Sequence, residues 1–329
     1  MLTILYSQIA RARRRYYERR PHLRRRLAAP VISVGNLTVG GSSKTPLAAG
    51  IARMLLDMGE RPSILSRGYA REIVEDGTVI VSDGKTVLAD VARSGDEPLM
   101  LARQVPRAAV LVSSSRYVSG RIAESKLGCT VHVLDDGFQH FDLVRDVDLL
   151  VAPATLDDTR TLPFGRFREP LDAAAAADAL LVEIEGPQGR AEALRYDSAH
   201  PLAERLKVPI AFEFSRRITG PPADRPAFAF AGIARPERFF DDLEKAGWRL
   251  TGRRAFADHH RYSDREIDDI AAAAAASGAQ VILTTEKDLV RIRPGANIVP
   301  VPLEVSIAPS FGPWLAERLR TARASGSVA

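Results

Sequence analysis

A lysine followed by a threonine, Lys44-Thr45, closes the stretch VISVGNLTVGGSSKTP at residues 31–46. Its surroundings give the pair its chemistry. Val31, Ile32, Ser33 and Val34 read as a buried strand, Gly40 and Gly41 as a turn, and the apolar run 47–56 as a helix. Strand, glycine turn, Lys-Thr and helix are the layout of a phosphate-cradling loop. Glycines let several N–H groups turn inward and the helix start adds its dipole. The ammonium then meets the outer phosphates and the hydroxyl meets Mg²⁺. The residues predicted to touch nucleotide are Thr38, Val39, Gly40, Gly41, Ser42, Ser43, Lys44 and Thr45. The pattern G-x-x-x-x-G-K-[ST] is not met in full, because Thr38 stands at its first position and Ser43 before the lysine. A serine there is expected at positive φ, at a cost on the order of 1 kcal/mol. A plain glycine turn can carry Lys-Thr by accident, so the loop needs companions.

Acids downstream supply them. VHVLDDGFQH at residues 131–140 runs an apolar strand into Asp135-Asp136, which reads as a carboxylate site for the Mg²⁺ that bridges nucleotide phosphates. An Asp-Gly turn has the same letters, but a doublet is more than a turn needs. In SGDEP, Asp96 and Glu97 open a helix running to residue 105, where acids also serve as caps. LPFGRFREPL at residues 162–171 brings Arg168 and Glu169 within reach of a phosphate or the ion. Asp258-His259-His260 follows a strand, so His259 faces either a cleft or solvent.

These residues need a frame that gathers strand ends. Strand and helix patterns alternate along the chain, which predicts a mostly parallel sheet with helices on both faces. The fold class is α/β: a P-loop NTPase-like α/β/α sandwich with a second, smaller α/β domain. The predicted divisions are an arm at residues 1–30, a P-loop domain at 31–219 and a smaller C-terminal α/β domain at 220–329, with GPPADRP as linker. Other expected elements are a β-hairpin over residues 78–88, an alanine-rich helix over 169–179 and a closing helix over 313–324. Ser263 and Glu266 form a capping box for a helix ending at residue 276.

Composition narrows the class. The chain has 329 residues, 46% hydrophobic and 26% charged, an ordinary globular balance. One cysteine, Cys129, excludes a disulfide framework and a cysteine metal site. Residues 1–30 hold nine arginines against Glu18, so they carry +8 of a net +5 and the rest of the chain carries −3. In that arm Leu2, Leu5, Tyr6 and Ile9 make an apolar helical stripe, followed by arginines and by Tyr16-Tyr17. This describes a helix lying in an anionic membrane surface. A solvated helix packed on the body and a nucleic-acid arm are the other readings. The slightly acidic body shows no nucleic-acid recognition motif.

Together the landmarks resemble the tetraacyldisaccharide 4'-kinase family. The resemblance rests on VGNLTVGG..KTP, SRGY at residues 66–69, GDEP, LDDGFQH, LP.G..REP, GI..PERFF at 232–240, DHH, and TEKD at 285–288, eight motifs in one order. It implies transfer of the γ-phosphate of ATP to the 4'-hydroxyl of a tetraacyldisaccharide 1-phosphate, giving lipid IV-A in lipid A biosynthesis. It also implies two α/β/α units with ATP and Mg²⁺ between them, and a peripheral location on the cytoplasmic face of a Gram-negative inner membrane. No nucleic-acid or protein partner is expected. By motif, Asp96 is the expected base, His259 orients it, Lys44 serves the phosphates, and Thr45, Asp135, Asp136 and Glu169 serve the metal. Glu97, Arg168 and His140 are further candidates. The family normally has glycine at Ser43, a departure that bears on the tightness of the loop. The competing expectation is a membrane-recruited P-loop nucleotide switch, although Thr285-Glu286-Lys287-Asp288 lacks the spacing of an [NT]-K-x-D guanine reader.

Overall fold

The computed structural model describes residues 2–40, 43–69, 71–156, 158–184, 196–197, 200–220, 223–293, 295 and 297–326. Its strands are β1 (Val31–Gly35), β2 (Pro62–Ser66), β3 (Val79–Asp83), β4 (Ala109–Val112), β5 (Val131–Asp135), β6 (Val147–Pro153), β7 (Ala179–Glu183) and β8 (Tyr196–Asp197). They continue with β9 (Ala211–Ile218), β10 (Ala227–Ala231), β11 (Leu250–Ala255), β12 (Val281–Thr285), β13 (Val299–Val301) and β14 (Leu303–Ile307). The α-helices are α1 (Leu2–Glu18), α2 (Lys44–Asp57), α3 (Val91–Ser94), α4 (Asp96–Gln104), α5 (Arg116–Leu127), α6 (Pro201–Leu206), α7 (Pro236–Lys245), α8 (Asp264–Ala276), α9 (Glu286–Leu289) and α10 (Phe311–Gly326).

The large sheet has the order β14-β9-β7-β6-β1-β5-β2-β4-β3, with β8 also on β9. From β9 to β4 it is parallel, and β3, β8 and β14 are antiparallel additions. Every residue of β1, β2 and β5 is buried, as a sheet covered on both faces requires. On one face α2 and α10 bring Leu47, Ile51, Leu55, Phe311 and Leu315 onto Ile32, Val133, Leu149 and Phe212. Each such side chain contributes about 1.5–3 kcal/mol through burial. The other face lies under Phe138, Phe167, Leu202 and Leu206. The small sheet, β11-β10-β12-β13, is parallel throughout. Phe239, Phe240 and Leu243 of α7 cover one face of it, and Ile267 and Ile270 of α8 the other. The Ser263–Glu266 capping box is present.

Three expectations are corrected. The C-terminal unit does not run from 220 to 329 as one piece: β14 returns to pair antiparallel with β9, and α10 packs into the large core. The physical reason is the edge of β9, which would otherwise be an open row of hydrogen-bonding groups. The alanine-rich stretch is a 3₁₀ segment, Leu171–Ala176, not a helix to residue 179. It stops because Asp178 turns to accept from the Asp148 amide while Ala179 enters β7. The hairpin keeps only β3 as a strand, with its return held by Leu88 N–H to Val81 O at 2.8 Å and a Ser82–Val87 bridge. Among the described residues no helix is long and apolar enough to cross a membrane.

Candidate active site

The C-terminal ends of the parallel strands open on a cleft of about 1360 Å³ lined by both sheets and by α1. Strand β1 delivers the chain to the glycine turn, and α2 starts at Lys44. Gly40 holds φ +92°, which a side chain would resist, and a Cβ there would stand 2.8 Å from the Arg166 guanidinium. Ser43 has φ −64°, so the expected positive φ is absent and no strain is stored there. Its hydroxyl donates to Glu183 Oε2 at 3.0 Å, a carboxylate that also pairs with Arg216 and Arg238. Gly41 and Ser42 lie outside the described residues. Thr38 sits behind the turn, bridged to Phe167 and accepting from the Asn36 amide at 3.0 Å, so it braces the loop and does not line the cleft.

Lys44 is buried, donates to Asn36 Oδ1 at 2.9 Å and lies 3.4 Å from Asp136 Oδ1. Thr45 donates its hydroxyl to Asp135 at 3.3 Å, joining the helix start to the end of β5. Burial, with the charges of Glu97 and Asp136, pushes the Asp135 carboxyl up to about 7, against the pull of Lys44 and the Thr45 hydroxyl. Burial acts the same way on Asp136, but Lys44 and Arg168 outweigh it and hold that carboxyl below the usual carboxylate range. Arg168 reaches Asp136 Oδ2 at 2.7 Å. Apart from the Lys44 ammonium at 3.4 Å, the buried Asp136 Oδ1 has no partner among the described residues. Asp135, left under-compensated by burial, with Asp136 and a threonine hydroxyl beside it, fits a divalent cation. No group of three or more His, Cys, Asp or Glu among the described residues is arranged to hold a metal alone. That suits Mg²⁺ in a kinase, which takes one or two carboxylates and draws its remaining ligands from phosphates and water.

Glu169, also expected at the metal, lines the same cleft and is engaged by the arm. Its oxygens accept from Arg14 Nε at 2.8 Å and Nη2 at 2.9 Å, and one also accepts from Gln139 at 3.0 Å. A buried guanidinium takes up the carboxylate in this structure. His140 lines the cleft 3.1 Å from Asp142, and burial with the neighbouring Arg116 charge pushes it down to about 4, so it is neutral at pH 7.

A second cluster stands at the start of α4. Gly95 holds φ +83° with the Tyr69 carbonyl 2.8 Å from where a Cβ would lie, and this sharp entry sets Asp96 at the helix start, behind the cleft-lining His259. Asp96 is 4% exposed. Across from it, on the loop after β11, His259 places Nδ1 2.8 Å from Asp96 Oδ2. A carboxylate only accepts, so Nδ1 carries the proton between them. Burial works to raise the Asp96 carboxyl, but His259, Lys287 and Arg291 together outweigh it and keep it below the usual range. Glu97 pairs with Lys287 at 3.3 Å, and Arg291 Nε is 3.6 Å from Asp96.

The structure therefore brings Lys44, Thr45, Glu97, Asp135, Asp136, Arg168 and His259 to one cleft, with Asp96 buried directly behind His259. Sequence reading missed Lys287 and Arg291, although TEKD marked their neighbourhood. It also missed Asn36 on Lys44, and Arg116, a buried cation whose Nε has no hydrogen-bond partner. Nothing in SSSRYVSGR signalled Arg116, because its surroundings come from other strands.

A phosphate loop, a metal-poised acid pair and a carboxylate–imidazole dyad on a parallel sheet define a P-loop phosphotransferase. Residues 1–320 match the family model described as Tetraacyldisaccharide-1-P 4'-kinase. The tetraacyldisaccharide 4'-kinase of Desulfotalea psychrophila is 39% identical over 91% of this chain and 89% of its own. That of Geobacter sulfurreducens is 39% identical over 90% and 84%. A crystal structure described as the "apo" form of LpxK from Aquifex aeolicus in complex with ATP superposes with a TM-score of 0.79, at 30% identity and 97% coverage of each chain. The chain belongs to the tetraacyldisaccharide-1-P 4'-kinase family, and it is an ATP-dependent kinase of lipid A biosynthesis. The family assignment displaces the nucleotide-switch reading.

Proposed function

We propose that this chain transfers the γ-phosphate of ATP to the 4'-hydroxyl of a tetraacyldisaccharide 1-phosphate, with Asp96 as the proton acceptor. The observation that carries the reading is the 2.8 Å contact between Asp96 and His259, which lines the same cleft as Lys44. A carboxylate held below the usual range is fully ionised at neutral pH but a weak base. That suffices for a loose phosphoryl-transfer transition state, in which the attacking hydroxyl gives up its proton late. His259 fixes the carboxylate's direction, and Lys287 and Arg291 keep it charged. Lys44 supplies positive charge to the outer phosphates, and Thr45, Asp135 and Asp136 would hold Mg²⁺. When bound, the ion neutralises charge on the phosphoryl oxygens.

The arm gives the acceptor its route. Tyr6, Ile9, Arg13 and Tyr17 of α1 line the cleft, while Leu2, Ile4, Leu5 and Ile9 are more than half exposed. An exposed apolar edge beside arginines supports a peripheral contact with the cytoplasmic face of the inner membrane. One experiment tests both parts: ATP labelled in the γ-phosphate is offered with the disaccharide 1-phosphate in anionic vesicles. Label in the lipid, dependent on Mg²⁺, and enzyme floating with the vesicles are the expected results. Hydrolysis without lipid labelling would refute the acceptor. Enzyme left at the bottom of the gradient would refute the membrane contact.

A further inference from the structure

We propose that Arg14, on the arm, is a positioning residue of the phosphoryl-transfer site, so that docking of the arm helix sets the geometry of Lys44. This rests on the proposed role of Lys44. Arg14 is the only residue of α1 whose side chain is described as buried, at 8% exposure. A membrane arm has no need to bury an arginine, and burying one is costly unless it is paired and hydrogen-bonded. Here it is paired in the bidentate geometry of a fork on a carboxylate, Nε to Glu169 Oε2 and Nη2 to Oε1. Its guanidinium carbon also lies 4.8 Å from the ring centres of both Phe138 and Phe141, within cation–π range.

From Glu169 the contacts continue inward. Gln139 donates to Glu169 Oε1 and to the Asn36 carbonyl, each at 3.0 Å. The Asn36 side chain receives the Lys44 ammonium at 2.9 Å. Glu169 is also the immediate chain neighbour of Arg168, which holds Asp136 at 2.7 Å. Two routes thus run from one arm side chain to the groups that face the phosphates. Gln139 and Phe138 follow directly on the Asp135-Asp136-Gly137 turn, so the guanidinium also packs on the segment that carries the metal acids. The arm reaches across 155 residues of sequence to make the Glu169 contact.

The test compares full-length Arg14→Gln with wild type for kcat, for KM of ATP and of lipid acceptor, and for vesicle flotation. The expected result is a kcat lower by about 10–100-fold, the usual effect of removing a residue that orients an active group. Flotation and lipid KM stay within about twofold, since no apolar residue of the arm has changed. Arg14→Lys keeps the charge but not the fork, and is expected to leave kcat low. Arg14→Gln combined with Glu169→Gln is expected to be no slower than Arg14→Gln alone, because both act on one contact. Should Arg14→Gln fail to fold, Gln139→Met cuts the next link and leaves the buried ion pair intact, and it too is expected to lower kcat. Unchanged kcat in the folded variant, a loss confined to lipid KM or flotation, or full restoration by lysine would overturn the proposal. Wild-type enzyme that labels no lipid would overturn the proposed function instead, so the two failures are distinct.

Discussion

The two halves of the cleft are built on different principles. The phosphate half, Lys44 with Thr45, Asp135 and Asp136, comes from the ends of neighbouring strands β1 and β5 in one sheet. Its backbone is fixed by a parallel ladder and by a core with no exposed face. The dyad half takes Asp96 from the large sheet's α4 and His259 from a loop of the small sheet. One half is preformed by folding, whereas the other exists only while two sheets face each other. With Asp96 as the proposed base, a site arranged this way would hold nucleotide without being poised to react, since the acceptor's proton would have a destination only when the dyad is assembled.

The largest effects should come from the dyad. Asp96→Asn keeps the shape but removes the acceptor, and kcat is expected to fall by about 10²–10⁴-fold with the KM of ATP nearly unchanged. His259→Asn should cost less, about 10–100-fold, because it removes orientation and not the base. If Asp96→Asn instead abolishes ATP binding, the dyad belongs to the nucleotide site and the contrast between the halves disappears.

Next comes Asp135, where pH sharpens the comparison. Its pKa is raised on folding from 3.8 to about 7. An acid raised in this way stabilises the fold while protonated, and that stability is lost as pH climbs from about 4 to about 7. The protein without Mg²⁺ should therefore melt at a lower temperature at pH 8 than Asp135→Asn does, although the variant loses turnover. Mg²⁺ with nucleotide should raise the melting temperature more at pH 8 than at pH 5.5. Equal increments at the two pH values would show that Asp135 does not face the ion.

The smallest effect should be at Ser43. Its φ of −64° needs no glycine, and its hydroxyl adds one bond to Glu183. Ser43→Gly should lower unfolding free energy by about 1 kcal/mol and change kcat by less than about twofold. A large gain in turnover would mean that the serine constrains the loop after all.

The sequence carried most of the phosphate half because its signals are local. A buried strand, a glycine and the acid or lysine that follows are contiguous in Val31–Gly35 with Lys44, and in Val131–Asp135 with Asp136. The dyad was legible only through resemblance, since nothing local says that the His259 loop meets the start of α4. Contacts that needed a distant partner were not legible at all: Arg14 with Glu169, Arg291 with Asp96, Ser43 with Glu183. The Glu169 ion pair shows the cause, because an acid beside an arginine in a loop looks free until the arm covers it. The return of β14 and α10 was missed for a similar reason. An edge strand pairing with β9 leaves no mark on periodicity, and its partner lies 80 or more residues earlier.

That return has a mechanical meaning. The polypeptide leaves the large sheet after Ile218 and re-enters it at Leu303, and the two crossings lie side by side, with the Thr219 amide donating to the Pro302 carbonyl at 2.8 Å. A body hung from two adjacent straps swings about one line and resists twisting about others. Any swing of the small sheet about that line would carry the His259 imidazole along a single arc relative to Asp96, and one spectroscopic ruler between those positions would test for it.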